Sequence, residues 1–251
     1  MKVVCVGSGN LATRLSLEMQ RAGLTICQVY SRTAEHAEKL AAVLGCSWTS
    51  VVGEIEPEAD LYLFSLKDTA LRPVLDQMKP NGGLWVHTAG SMPLEIFEGY
   101  AERYGVLYPL QTFSKGRAVD FRQIPFFLEA SSDADGKLLE TVAGRLSGNL
   151  RFLSSEKRRR LHLAAVFACN FVNRMYALAG RILEEQEIPF DVLLPLIDET
   201  AAKVHAMDPV EAQTGPAVRY DENVIHNHLA MLTDPDLQAI YRQISQNIHK
   251  G

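Results

Sequence analysis

The chain opens on a short apolar run, Lys2-Val3-Val4-Cys5-Val6, that passes directly into Gly7-Ser8-Gly9-Asn10-Leu11-Ala12. Leu11, Leu15, Leu17 and Met19 then follow at helical spacing, up to a stop at Gly23. A buried strand, a glycine turn and a helix in immediate succession commit this segment to a βα unit on a covered sheet. In the pattern GxGxxA, Gly7 permits the tight turn and Gly9 lets the backbone approach a bound phosphate. Ala12 is small enough for helix and strand to pack closely. The helix amides favour negative charge at that end. A dinucleotide site is the stronger reading, and a glycine turn without a ligand is the alternative.

The alternation continues through the first half. Strand-like runs fall at 25–30, 47–49, 61–64, 84–87, 106–108, 126–128 and 150–153. Helical spacing falls at 33–44, 69–78 and 94–103, the last introduced by Pro93. This pattern predicts an α/β fold with a parallel, doubly wound sheet over residues 1–153. From 154 the period becomes helical throughout, with segments at 156–186, 190–207, 221–232 and 234–249, so an all-helical domain is expected over 154–251.

Hydrophobic residues make up 47% of the 251, which is enough for a sizeable core and excludes a disordered chain. The net charge of −5 argues against nucleic acid as a partner. No run approaches about 20 uninterrupted apolar residues, so no membrane span is expected. The glycines come too early for a secretory leader, which makes a cytoplasmic location the expectation. Cys5, Cys27, Cys46 and Cys169 lack metal-ligand spacing, so reduced thiols and no structural metal are expected.

The second strand indicates which dinucleotide is bound. An NAD site presents an acid there to hold the ribose 2′-hydroxyl. Here the residues read Tyr30-Ser31-Arg32-Thr33, and the first acid is Glu35, inside the helix. Arg32 suits a 2′-phosphate, with Ser31 and Thr33 as hydroxyl donors, so NADP is favoured over NAD. The alternative for Arg32 is a surface residue in a loop. Further loops leave later strands at the edge where open α/β sheets bind ligands. They read Ser65-Leu66-Lys67-Asp68, His87-Thr88-Ala89-Gly90 and Tyr108-Pro109-Leu110-Gln111-Thr112-Phe113-Ser114. The cofactor candidates are Gly7, Ser8, Gly9, Asn10, Leu11, Ser31, Arg32, Thr33, Ser65, Leu66, Lys67, His87, Thr88 and Gly90, with Thr112 and Phe113 toward substrate. Asp68 reads equally as a helix N-cap.

The segments GSGNLA, SRTAEHAEKLA and SLKD resemble the cofactor domain of pyrroline-5-carboxylate reductases and deazaflavin-dependent NADP oxidoreductases. Across the whole chain, VHTAGSMPLEIF, YPLQTFSKGR, IPFFLEA, LHLAAVFACNFVN, PLIDETAAK and QTGPAVRYD resemble a bacterial family with a Rossmann-type domain and a helical C-terminal domain of unknown function. The resemblance implies an NADP-binding oxidoreductase built like the 6-phosphogluconate and β-hydroxyacid dehydrogenases. It also implies a homodimer formed through the helical half. Asn170 looks like the asparagine that those dehydrogenases carry after a catalytic lysine, but the position of that lysine holds Val166.

With that lysine missing, the proton needs another donor. His162, Asn170 and Asn173 fall within roughly 80° at about 100° per residue, on one helical stripe. His162 titrates near neutral pH and suits proton donation, the alternative being a core or capping histidine. The asparagines suit a substrate carbonyl or the nicotinamide amide, or a helix–helix contact. Lys203 is a second proton-donor candidate, or simply the surface partner of Glu199. The turn 213–221 offers Thr214 and Arg219 to an anionic substrate, or serves as a helix connection capped by Asp221. The run Lys157-Arg158-Arg159-Arg160 reads as a solvated face. The expected function is hydride transfer between NADP(H) and a small C=O or C=N substrate, against the alternative of a non-catalytic NADP-binding sensor or scaffold.

Overall fold

The apolar runs become the interior of one eight-stranded sheet in a computed structural model that describes residues 1–251. Its strands are β1 (Lys2–Val6), β2 (Thr25–Tyr30), β3 (Ser47–Thr49), β4 (Leu61–Phe64), β5 (Leu84–His87), β6 (Tyr104–Pro109), β7 (Phe126–Ala130) and β8 (Leu150–Phe152). They lie in the order β3-β2-β1-β4-β5-β6-β7-β8, a doubly wound arrangement whose strand order reverses between β1 and β4. Helices α1 (Asn10–Arg21), α2 (Ala34–Leu44), α3 (Asp68–Leu75) and α4 (Asp133–Gly144) make crossovers. Strand β1 is buried on both faces: Val3 and Cys5 join one core, Val4 and Val6 the other.

Three local features differ from the sequence expectation. Strand β7 runs antiparallel to β6, because the chain between them holds only a 3-10 turn at Phe121–Gln123 and no crossover helix. The helix expected over 94–103 is a single 3-10 turn, Leu94–Phe97, and Gly99 at φ +80° turns the chain away. Helix α4 was not anticipated, since Asp133, Asp135 and Gly136 dilute its apolar spacing. The Ser132 side chain caps it by accepting from the Asp135 amide.

The chain divides into two compact units, Met1–Cys169 and Asn170–Gly251, rather than at 153/154 where the composition changes. Helix α5 (Ser155–Ala165) belongs to the first unit because its opening turn is fastened to the sheet. Arg158 is fully buried and ion-paired with Glu129 on β7, and it also donates to the Met92 carbonyl oxygen. Ser155 donates to the same carboxylate through its amide, at 2.8 Å, and its hydroxyl, at 2.7 Å. The basic run is therefore not uniformly solvated. Arg160 is exposed and pairs loosely with Glu156, while Arg158 lies in the interior.

Past a π segment at Val166–Phe171, the second unit contains α6 (Val172–Glu184), α7 (Leu194–Ala206), α8 (Glu222–Met231) and α9 (Pro235–Lys250). Asp221 and Asp234 cap the last two through their side chains. Leu178 and Ala217 are its only buried hydrophobic residues, whereas Ile182, Leu196, Val210, Met231 and Ile244 stay exposed. The 30-residue helix Ser155–Glu184 is long and apolar enough by composition to cross a bilayer, contrary to the expectation that no such stretch exists. The sequence reading counted uninterrupted apolar runs, and isolated polar residues hid this one.

Replacing Arg158 by Ala leaves the Glu129 carboxylate without its cation and should cost roughly 3–5 kcal/mol in denaturant unfolding. The double variant R158M/E129L, which removes both charges, should recover most of that loss. A single variant as stable as the parent would contradict this account.

Candidate functional site

At the reversal of strand order, the turn after β1 is forced to be glycine twice over. Gly7 has φ +128°, and a Cβ there would lie 2.3 Å from the Ser65 carbonyl oxygen. Its amide donates to the Tyr30 carbonyl oxygen at 2.8 Å, which ties the turn to β2. A Cβ on Gly9 would meet nothing within 4 Å, so that side of the turn is open. Gly9 is also the N-cap of α1, with no capping side chain and no acid in the first turn. Ala12 is buried against the sheet and Leu11 packs at its margin. The open side thus faces helix amides that no side chain occupies, an arrangement suited to a phosphate.

The loop after β2 is held beside this turn. Ser8 donates to the Ser31 hydroxyl at 2.9 Å, and the Ser31 amide donates to the Thr49 carbonyl oxygen. Arg32 and Thr33 are exposed at the entrance to α2, and Thr33 makes no capping bond. Glu35, the nearest acid on that helix, pairs with Lys39 at 2.5 Å.

The loops after β4 and β5 are joined by Ser65 and Thr88, whose hydroxyls lie 3.1 Å apart. Leu66 packs beside Gly7 and Lys67 is exposed at the start of α3. Asp68 accepts from Ser91 at 2.5 Å and does not cap the helix. His87 requires a correction: it is 1% exposed and both ring nitrogens are engaged by backbone. Nδ1 accepts from the Ala89 amide and Nε2 donates to the Pro93 carbonyl oxygen. Burial, reinforced by the Arg158 charge, holds its pKa down to about 3. It is a neutral core residue unavailable to a ligand.

Gly90 lies against two side chains that come from distant parts of the sequence. The Tyr108 hydroxyl is 3.0 Å from His162 Nδ1, and a Cβ on Gly90 would fall 2.8 Å from Tyr108 Cζ and 2.7 Å from His162 Nδ1. The 110–120 loop is strapped to α1: the Asn10 amide donates to the Phe113 carbonyl oxygen at 3.0 Å, and Arg14 donates to the carbonyls of Ser114 and Lys115. The half-buried Phe113 ring packs against Phe121, with centroids 5.7 Å apart, and helps anchor the loop. Thr112 is exposed. The sequence reading missed Arg14, although its position four residues after Asn10 places it on the same helix face.

The remaining candidates lie in the second unit. Asn170, in the π segment, and Asn173, on α6, are exposed. The wheel that aligned them with His162 assumed unbroken α geometry, which the π segment interrupts. Lys203 is half-buried on α7 and makes no ion pair with Glu199. Thr214 borders an apolar cleft of about 550 Å³ lined by Met175, Ile182, Met231, Leu237 and Tyr241. Arg219 is exposed beside Tyr220, whose φ is +49°.

Residues 2–88 match the family described as NADP oxidoreductase, coenzyme F420-dependent, and residues 124–248 match a domain of unknown function, DUF2520. A designated putative NADP oxidoreductase from Bacteroides fragilis is 51% identical, with a TM-score of 0.95 over 100% of this chain and 98% of that one. An imine reductase from Streptomyces aurantiacus is 16% identical, with a TM-score of 0.68 over 100% of this chain and 94% of its own. A reductive aminase from Aspergillus terreus, solved with NADPH and ethyl-5-oxohexanoate, is 15% identical. It gives a TM-score of 0.74 over 99% of this chain and 93% of its own. These last two likenesses are of fold. Among curated proteins, none matches the sequence.

His87 gives the fold a pH signature. The unfolded chain takes up a proton near pH 6.5 that the folded chain refuses until about pH 3, so this group lowers stability as pH falls through that window. Its contribution reaches about 1.4 kcal/mol per pH unit. Unfolding free energies measured between pH 7 and pH 4 should therefore fall less steeply in His87→Gln than in the parent. Parallel slopes would show that His87 titrates normally.

Proposed function

Because the chain belongs to the NADP oxidoreductase family in which a coenzyme F420-dependent-type nucleotide domain is followed by DUF2520, we propose that it transfers hydride between NADP(H) and a small C=O or C=N substrate. The observation that carries this reading is the turn at Gly7, closed by Ser65 on one side and open at Gly9 toward uncapped helix amides. Those features fit a pyrophosphate, held by the backbone from Gly7 to Leu11. Arg32, with Ser31 and Thr33, would hold the 2′-phosphate. No acid stands at the end of β2 to prefer a 2′-hydroxyl, and Glu35, inside α2, pairs with Lys39. Ser65, Leu66, Lys67, Thr88 and Gly90 would border the nicotinamide end. The bound cofactor supplies the hydride, and His162 manages the proton.

The sparse core of the second unit supports a further part of the proposal. Its exposed apolar side chains, and the apolar cleft lined by α6, α8 and α9, are covered by a second copy of this chain. A bilayer is the poorer cover for the long helix, since Asn170, Asn173 and Arg174 stand exposed along it.

Arg32→Ala should weaken NADPH binding by about 10- to 100-fold, the worth of a charge-assisted contact, while changing NADH binding little. Fluorescence titration of both nucleotides checks this, and equal losses for the two would remove Arg32 from the 2′-phosphate. NADPH binding without oxidation across a panel of imines, keto acids and aldehydes would favour a sensor.

Sedimentation in detergent-free buffer should give a dimer, and Met231→Asp should convert it to a monomer. A parent that sediments as a monomer would overturn the shared interface.

A further inference from the structure

The reaction proposed above needs an acid, and the lysine familiar from the dehydrogenases is absent. In the first unit, Tyr108 ends β6 at the carboxyl edge of the parallel strands and is 8% exposed. Its ring meets that of His162 edge to face, with centroids 5.9 Å apart and an interplanar angle of 76°. The Gly90 backbone runs directly against the polar edge of both rings, so any side chain at that position would push the two apart. Their hydrogen-bonded edge therefore lies against the loop after β5, the same loop in which Thr88 bonds to Ser65.

We infer that Tyr108 is the catalytic acid of this reduction, and that His162 is the positioning residue that orients its hydroxyl and returns its proton. The inference rests on the hydride-transfer reading. As hydride from the reduced nicotinamide reaches the substrate carbon, the π electrons of the C=O or C=N bond move to the heteroatom. The O–H bond of Tyr108 breaks and its proton completes the alcohol or amine. As the half-exposed imidazole takes a proton from solvent at Nε2, His162 Nδ1–H passes its own to the phenolate, so the ring ends neutral. The reduced nicotinamide is oxidised in the same step. Burial pushes the Tyr108 phenol upward, opposed by Arg158, so the hydroxyl stays protonated and able to donate at neutral pH. Other ionisable groups nearby are His87, which is neutral, and Glu129, which Arg158 engages.

The test uses the full chain and Tyr108→Phe, which keeps the ring and removes only the hydroxyl. NADPH affinity should stay within about twofold of the parent, while kcat on any reduced imine, keto acid or aldehyde falls at least about 100-fold with KM little changed. Without cofactor, the NMR signal of the His162 ring nitrogen Nδ1 should move on the same substitution, as its hydrogen-bond partner is removed. His162→Ala should lower kcat and displace its pH profile, and His162→Asn, which restores an N–H near the Nδ1 position, should recover part of the rate. Parental turnover in Tyr108→Phe overturns the inference, as does an unmoved His162 Nδ1 signal. A parent that fails to bind NADPH overturns the hydride-transfer reading itself. One that binds NADPH but reduces nothing overturns both.

Discussion

The ion pair between Arg158 and Glu129 fixes how α5 sits against β7 and the loop after β5 in the first unit. Arg158 enters the interior from the first turn of α5, and Glu129 meets it from β7, the antiparallel strand. Ser155 binds the same carboxylate and also accepts from the Leu94 amide, so three segments, α5, β7 and the 92–94 stretch, converge on one buried charge pair. Such pairs contribute little net stability, because desolvation offsets most of the attraction, yet they are costly to break singly. The Arg158 Nε atom has no partner at all, an added cost of about 1–3 kcal/mol that a purely stabilising contact would not carry. The outcome is geometric. His162 stands one turn beyond Arg158 and is thereby held at Tyr108, and burial, reinforced by the same cation, keeps His87 neutral.

A second constraint acts in the loops, where two glycines let a backbone approach its neighbours closely. Gly7 must yield its Cβ to the Ser65 carbonyl, and Gly90 must yield its own to Tyr108 and His162. The first approach brings the β1 and β4 loops together at the strand reversal, and the second brings α5 onto the β5 loop. Both depend on a missing side chain, so the loops carry function while the strands beneath them carry the packing.

The fold was legible in the sequence wherever a local period or a breaker specified it. Strand β1, its glycine turn and α1 were placed correctly because apolar run, glycines and helical spacing are all local signals. The direction of β7 was not, because nothing within 126–130 records whether a crossover helix precedes it. Helix α4 was hidden by Gly136 and two acids that a Ser132 cap renders tolerable. The border between units was misplaced for a related reason: composition changes at 154, but Arg158 carries α5 back into the first unit.

For the site, the sequence by itself determined which residues backbone chemistry and chain order bring to the strand reversal. These are the glycine turn, the Ser31-Arg32-Thr33 segment without an acid, and the loops at the carboxyl ends of β4 and β5. Only the tertiary structure decided which polar side chains face the crevice. It withdrew the His87 side chain, because burial depends on neighbours far along the chain. It joined Tyr108 to His162 across a separation of 54 residues. Periodicity ranks residues by helix or strand face, but hydrogen bonds between elements form at distances that no local spacing encodes.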